Sequence, residues 1–110
     1  MISSEKSSVK ICRYSFGKIK AGIMSADCNF YILRILDISV QDDDVVLWAE
    51  ADADSMTPDG TKMYINCILT GFTPPPTDDS EYIKTVFDSY GLAYHIYAIK
   101  RPDDESDINL

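Results

Sequence analysis

The stretch from Ile35 to Asp54, ILDISVQDDDVVLWAEADAD, places the tightest constraint on what this chain can fold into. Its first part alternates apolar Leu36, Ile38 and Val40 with polar residues, the period of two expected of a strand buried on one side. Residues 45–54 alternate in the same way. The aspartates between them tolerate the backbone angles of a tight turn and are depleted inside strands. We therefore predict a β-hairpin with its turn at residues 42–44.

The other segments add strands on both sides of this hairpin. Residues 9–16 alternate and stop at Gly17, and residues 18–24 form a weaker second strand. Residues 25–34 suit a strand or extended entry slightly better than a short helix. After the PDG turn, residues 62–71 alternate again and follow a short connection, which predicts antiparallel pairing with residues 45–54. Residues 92–100 form the last strand.

Local rules conflict most strongly after the proline-rich segment FTPPPTDDS, which predicts a loop crossing an edge or face of the sheet. Residues 81–91 have a possible N-terminal cap and a terminating Gly91, with helical spacing of apolar side chains. The same residues also suit two strands joined by DSYG. We expect a mainly β fold, a small antiparallel sandwich or half-barrel of about six or seven strands with room for one short helix. The alternative is an α+β fold with a helix at residues 80–90.

Length and composition limit the number of domains that the chain can form. A chain of 110 residues that is 45% hydrophobic forms one domain with one core. We assign residues 1–8 to a flexible N-terminus, 9–100 to the β-rich domain and 101–110 to an acidic disordered tail. The sequence has no run of 18 apolar residues, and its start does not resemble a signal peptide, so we expect a cytoplasmic protein.

No metal or cofactor is expected. An EF-hand loop that begins at Asp52 would have Met56 and Thr57 at its fifth and sixth positions, where an oxygen ligand and glycine are required. The three cysteines lack the paired spacing of a zinc site and read as small buried hydrophobes in a reducing compartment: Cys12, Cys28 and Cys67. The single histidine, His95, has no recognisable catalytic partner, so we read it as structural or exposed.

Charge is unevenly distributed. Residues 1–34 carry six basic and two acidic side chains, a balance of +4, whereas residues 35–110 carry 16 acidic and four basic ones, a balance of −12. Binding to phosphates requires lysine or arginine to displace counterions, so this field disfavours direct nucleic-acid binding. It suits instead a protein partner with a basic surface.

The order of short motifs resembles a small uncharacterised domain family common in phage genomes. RYSF, ISVQ, LWAEAD, ILTGFTPP, YIKT and YHIY correspond in order to an aromatic first strand, LSVQ, LWA, a TG-containing strand end, YIGT and a WHVF-like strand. The resemblance implies a small β-rich fold and favours a strand at residues 82–87. There are departures, since Phe72 and Thr73 follow the TG pair where the family has a histidine, and Tyr94 replaces its tryptophan. The segment 22–34 is also longer. The family has no established activity, so no site residue is carried over.

The leading hypothesis is a non-enzymatic, acidic, phage-type protein that blocks a host protein, such as a defence nuclease or another protein with a nucleic-acid-binding groove. An aromatic residue beside acidic ones is typical of an interface anchor with complementary charge. The candidate partner-binding residues are Asp42, Asp43, Asp44, Trp48, Glu50, Asp52 and Asp54. The simpler alternative is that these acidic side chains form the solvent-exposed face of the strand and have no role in binding.

Two further hypotheses remain open. A binder or sponge for a small anionic ligand, such as a nucleotide signal, would use aromatic rings beside Lys18, Lys20 and Arg34. A homo-oligomeric structural or accessory protein would pair through an exposed edge strand.

Overall fold

The computed structural model describes residues 8–71 and 80–99, which form seven β-strands in two antiparallel sheets. The mainly β, sandwich-like prediction is confirmed. The strands are β1 (Val9–Lys18), β2 (Gly22–Asp27), β3 (Phe30–Gln41), β4 (Asp44–Met56), β5 (Lys62–Leu69), β6 (Ser80–Phe87) and β7 (Ala93–Ile99). The α+β alternative is wrong, because residues 80–87 form β6 and pair with β7. The predicted proline-rich loop and the predicted tails lie largely outside the described residues.

The predicted hairpin is the β3–β4 pair, in which Gln41 pairs with Asp44 across a two-residue turn. Asp42 and Asp43 have φ angles of 52° and 66°. Positive φ at both central residues belongs to the type I′ turn, whose twist matches that of the flanking strands. Asp44 itself is already part of β4. The hairpin prediction is confirmed, with a turn one residue shorter than expected.

The three-stranded sheet has the order β1-β4-β3, and the four-stranded sheet has the order β2-β5-β7-β6. The predicted pairing of residues 62–71 with residues 45–54 is therefore wrong. β4 already has β1 on one edge and β3 on the other, so β5 turns a corner into the second sheet. The buried Thr57 fixes this corner, where its hydroxyl donates to the Cys28 carbonyl and its backbone N–H donates to the Asn29 carbonyl at 3.1 Å.

The core lies between the two sheets. β4 contributes four fully buried side chains at alternate positions, Val45, Leu47, Ala49 and Ala51. They face the four-stranded sheet, which contributes buried side chains that include Met24, Ile65, Cys67, Val86, Tyr94 and Ile96. Burial raises the pKa of the Cys67 thiol to about 11. Cys28 is also buried, whereas Cys12 is half-buried, and none of the three cysteines forms a disulfide.

Three local predictions fail, two of them because a strand carries a bulge. β1 does not end at Gly17 but continues to Lys18 through an irregularity, where Gly17 has a φ of 90°. The second strand begins at Gly22, later than expected, and ends at Asp27. In β3 the register shifts between Ile35 and Asp37, which leaves Leu36 exposed although simple alternation placed it in the core.

Candidate functional site

The centre of the outer face of the three-stranded sheet carries three of the seven predicted partner-binding residues. Side chains alternate along β4, so Trp48, Glu50 and Asp52 point away from the core that holds Leu47, Ala49 and Ala51. The ladder sets their neighbours on the same face, which are Arg13 and Asp37 beside Trp48, Ile11 and Arg34 beside Glu50, and Val9 and Tyr31 beside Asp52. We call this set of residues the Trp48 face.

Trp48 is held by an arginine from the neighbouring strand. The Arg13 guanidinium carbon lies 5.9 Å from the centroid of the half-buried indole ring. Its Nη2 also donates to Oε1 of Gln41 on β3 at 3.2 Å, so the side chain spans β4 from one flanking strand to the other. Val46 lies on the same strand face between these contacts and is fully buried. The centre of the face is therefore an ordered aromatic and cationic unit.

Exposed apolar side chains lie next to this centre, at the end of the sheet that holds Glu50 and Asp52. Ile11 is 65% exposed, and Val9 and Tyr31 are also exposed. Each of the three is a ladder neighbour of Glu50 or Asp52. The face thus mixes apolar, aromatic and charged groups, which is the composition enriched in protein–protein interfaces.

Two of the three acidic groups of the face, Glu50 and Asp37, are paired with cations. Arg34 Nη2 lies 3.4 Å from Oε2 of Glu50. Lys84 Nζ from β6 lies 2.8 Å from Oδ1 of Asp37, and this hydrogen bond lowers the pKa of the Asp37 carboxyl. The centre of the face is therefore close to neutral rather than strongly acidic.

The predicted aspartates lie at opposite ends of β4. Asp44 begins the strand and Asp54 lies ten residues further on, about 30 Å away at the rise of a β-strand. Asp43 accepts hydrogen bonds from the Ser89 backbone N–H at 2.8 Å and from its hydroxyl at 2.7 Å, which fastens the hairpin tip to the β6–β7 turn. Asp42 is exposed in the turn. The structure therefore does not gather the seven predicted residues into one patch.

The far end of β4 uses its acids in local contacts. Asp52 Oδ1 accepts a hydrogen bond from the Asp54 backbone N–H, and its Oδ2 accepts one from the Ser55 hydroxyl, both at 3.0 Å. The Asp54 carboxylate accepts a hydrogen bond from the Ser8 hydroxyl. These bonds shape the end of the strand and leave the remaining carboxylate lone pairs facing solvent.

The basic residues of the small-ligand hypothesis are separated as well. Lys18 and Lys20 line a surface cavity of about 420 Å³ together with Phe16, near the β1–β2 connection. Lys18 Nζ also lies 3.5 Å from Asp44 Oδ1 and donates to the Asp42 carbonyl at 2.8 Å. Arg34 pairs with Glu50, six residues further along β4, which is about 20 Å from Asp44. The three cations do not form one site.

His95 lies on the outer face of the four-stranded sheet, half-buried and hydrogen-bonded through both ring nitrogens. Nε2 is 2.7 Å from the Thr70 hydroxyl, and Nδ1 is 2.8 Å from the Thr85 hydroxyl. Thr70 donates its own proton to the Ala93 carbonyl, so it accepts from Nε2–H, and the Thr85 hydroxyl is hydrogen-bonded to Nδ1. The Tyr82 hydroxyl lies 2.8 Å from the Thr85 oxygen and completes this chain. This geometry agrees with the structural reading of the histidine.

Sequence reasoning missed Arg13 as the partner of Trp48. The alternation of VKICRYSF places Val9, Ile11 and Arg13 on one side of β1, so their shared face could be predicted from the sequence. What could not be read was that β1 pairs with β4, because the chain returns to β1 only after two intervening strands.

Within residues 8–71 and 80–99, no helix is long and apolar enough to cross a membrane. No curated protein and no solved structure matches the chain. One family model does match, that of the domain of unknown function DUF7352, over residues 21–107. The match takes in β2 to β7 and leaves β1 outside it. Because it covers well over half of the 110 residues, the chain belongs to the DUF7352 family of domains of unknown function.

Proposed function

We propose that this chain is a non-enzymatic, phage-type binding protein that presents the Trp48 face to a host protein and blocks it. The observation that supports this most directly is the Arg13–Trp48 unit, held in place by Gln41 and bordered by exposed Val9 and Ile11. Tryptophan and arginine are the residues most often responsible for binding energy at the centre of interfaces. A unit that is already ordered loses little side-chain entropy on binding.

Charge indicates the kind of partner. The centre of the face is nearly neutral, while Asp42 and Asp44 lie beyond one end and Asp54 lies beyond the other. The whole chain carries a net charge of −8. Acidic groups around an aromatic centre complement a target whose binding groove is rimmed by lysine and arginine. Nucleases and other nucleic-acid-binding proteins have such grooves, and we propose one of them as the target.

The phage-type origin rests on the ordered motifs ISVQ, LWAEAD and YHIY, which resemble a family common in phage genomes. A phage protein that blocks a host protein acts where that protein is, so the proposal places this chain in the host cytoplasm. Its target there would be a defence protein that the phage benefits from blocking.

The test is an affinity capture from host lysate with three tagged proteins: wild type, Trp48→Ala and Tyr90→Ala. Tyr90 is 87% exposed in the β6–β7 turn and serves as the matched aromatic control. We expect one host protein to be held by the wild type and by Tyr90→Ala, and lost with Trp48→Ala. The purified target should then bind Trp48→Ala about 30-fold more weakly, the effect of removing a central anchor.

A charge-reversed variant separates the anchor from the acidic ends. Lysine at positions 42, 43, 44, 50 and 52 should weaken capture at low salt, with circular dichroism as the check on folding. Capture should also weaken at about 0.5 M salt, where screening extends over only a few ångströms. Unchanged affinity in both the Trp48→Ala and the charge-reversed proteins, with the fold intact, would remove the proposal.

A second candidate function is the binding of a small anionic ligand. The observation that favours it is the cavity lined by Lys18, Lys20 and Phe16, where Lys20 has no ion-pair partner among the described residues. A thermal-shift screen against nucleotides should show stabilisation that is lost in Lys20→Ala and kept in Arg34→Ala, since Arg34 lies elsewhere. A flat screen counts against this function.

Light scattering that shows a monomer at high concentration would exclude the edge-paired oligomer.

A further inference from the structure

A groove runs between the two sheets where β3 faces β6. The two strands lie side by side at this seam, but they belong to different sheets and share no ladder. Bulges interrupt both of them, because the register of β3 shifts around Leu33 and again around Leu36, and that of β6 shifts around Ile83. Bulges disturb regular pairing and redirect side chains, so the seam is closed to a full additional strand but open to inserted side chains.

The groove has a mixed polar and apolar lining that is accessible to solvent. Its volume is about 520 Å³, within the range of small-ligand pockets. Leu33 is 54% exposed and Leu36 39% exposed on the β3 side, and Tyr82 is 53% exposed on the β6 side. Large apolar side chains exposed together along a concave seam indicate a contact surface.

Charge differs between the two ends of the groove. At one end the Lys84–Asp37 ion pair bridges β6 and β3, with its nitrogen and oxygen 2.8 Å apart. Further along β6, the exposed Glu81 also lines the groove, and its carboxylate has no ion pair or hydrogen bond with any residue in 8–71 or 80–99. The nearest arginine along the lining, Arg34, is already paired with Glu50. The groove therefore offers one carboxylate for a cation supplied from outside.

We propose that this groove docks an extended peptide segment of a partner protein, in which a bulky apolar residue is flanked by lysine or arginine. The apolar side chain inserts between Leu33, Leu36 and Tyr82, and the basic residue pairs with Glu81. Such a segment is of the kind found on a partner with a basic surface. The inference depends on the groove alone and does not require the Trp48 face to bind anything.

The probes are three blocked pentapeptides, Gly-Lys-Phe-Lys-Gly, Gly-Glu-Phe-Glu-Gly and Gly-Lys-Ser-Lys-Gly, titrated into the full ¹⁵N-labelled chain. We expect saturable amide shifts along residues 32–37 and 81–83 with the first peptide, which should bind about tenfold more tightly than either of the others. The second peptide tests the charge, and the third tests the apolar anchor.

Two variants and a control complete the test. Leu33→Asp should abolish binding of the first peptide, and Glu81→Lys should invert the ranking of the first and second peptides. Ile11→Asp changes an equally exposed apolar residue on the Trp48 face and should leave the titration unchanged. Equal shifts with all three peptides, no saturable shifts in the groove, or an unchanged ranking in Glu81→Lys would each overturn the proposal. None of these results bears on capture by Trp48, so the two proposals fail separately.

Discussion

The centre of the outer face of the three-stranded sheet holds an ion pair and a cation–π contact, whereas the centre of the outer face of the four-stranded sheet holds hydrogen bonds and ring contacts around His95. The ion pair of the second face, between Lys62 and Asp27, lies at its edge, where β5 begins and β2 ends. On the first, Arg34 pairs with Glu50 and Arg13 lies over Trp48. On the second, hydrogen bonds link His95 on β7 to Thr85 on β6 and to Thr70, the residue that follows β5, and the rings of Tyr82 and Tyr97 meet edge to face with centroids 5.6 Å apart.

The two kinds of contact contribute differently to the stability of the fold and to the recognition of a partner. Hydrogen bonds of this kind depend less on salt than ion pairs do and contribute about 1 kcal/mol each. Exposed ion pairs contribute less and are screened, but they set the charge that a partner meets. We therefore expect the four-stranded face to matter more for folding and the Trp48 face to matter more for binding.

The largest effects should be equal in the two sheets, because both share one core. Leu47 on β4 and Ile96 on β7 are both fully buried. Leu47→Ala and Ile96→Ala should each lower the free energy of unfolding by about 2–5 kcal/mol through lost burial and the cavity left behind. Urea denaturation measures both. Separate unfolding transitions for the two sheets would contradict the single core.

The hydroxyl of Thr85 tests the hydrogen-bond network around His95. Thr85→Val keeps the shape of the side chain but leaves His95 Nδ1 and the Tyr82 hydroxyl without their shared partner. We expect a loss of about 1 kcal/mol in the free energy of unfolding. Tyr82→Phe, made alone and with Thr85→Val, completes a double-mutant cycle. Additive costs would mean that the network is not coupled.

The Arg34–Glu50 pair tests the charged face. Arg34→Ala should lower the free energy of unfolding by only about 0.2–1 kcal/mol at low salt, since 66% of the arginine side chain is exposed. In about 1 M salt the difference should disappear, while the cost of Thr85→Val should change less. A salt-independent cost for the arginine variant would refute this division between the faces.

The smallest effect should be a dependence on pH at Asp37. The hydrogen bond from Lys84 lowers the pKa of this carboxyl in the folded protein, so its ionised form favours folding above the unfolded pKa of about 3.9. That contribution is lost as the pH falls through the lower, folded-state pKa. The thermal midpoints of wild type and Asp37→Asn should therefore differ slightly at about pH 7 and converge at about pH 2. Divergence toward acid would have the wrong sign.

The sequence alone was enough to predict the strands with regular alternation of apolar and polar residues, and the tight turn between β3 and β4. The odd positions from Val45 to Ala51 are fully buried as the period of two predicts, and Asp42 and Asp43 adopt the turn angles that short polar side chains tolerate. A strand at residues 82–87 was favoured only through the resemblance, because local capping signals and ladder pairing compete there and the tertiary context of β7 decides.

Neither the strand pairing nor the composition of the Trp48 face could be predicted from the sequence. A short connection predicted that β5 would pair with β4, but both edges of β4 are occupied by strands that alternation alone cannot rank. The acids looked like one patch because they are close in sequence, yet an extended strand moves each residue about 3.3 Å from the last. Pairing also brought Arg13 and Arg34 beside acids that had read as a continuous negative surface.

The non-sequential position of β1 has a consequence for assembly. β1 leaves its sheet through the three residues between Lys18 and Gly22 and lies along one edge of β4, whereas β3 lies along the other edge. If β1 detached, β4 would present thirteen residues with an unpaired edge, a template that the β1 of a second molecule could fill as well as its own. Exchange of this one strand between two chains, with every contact of the fold kept, is the route to self-association that the topology leaves open.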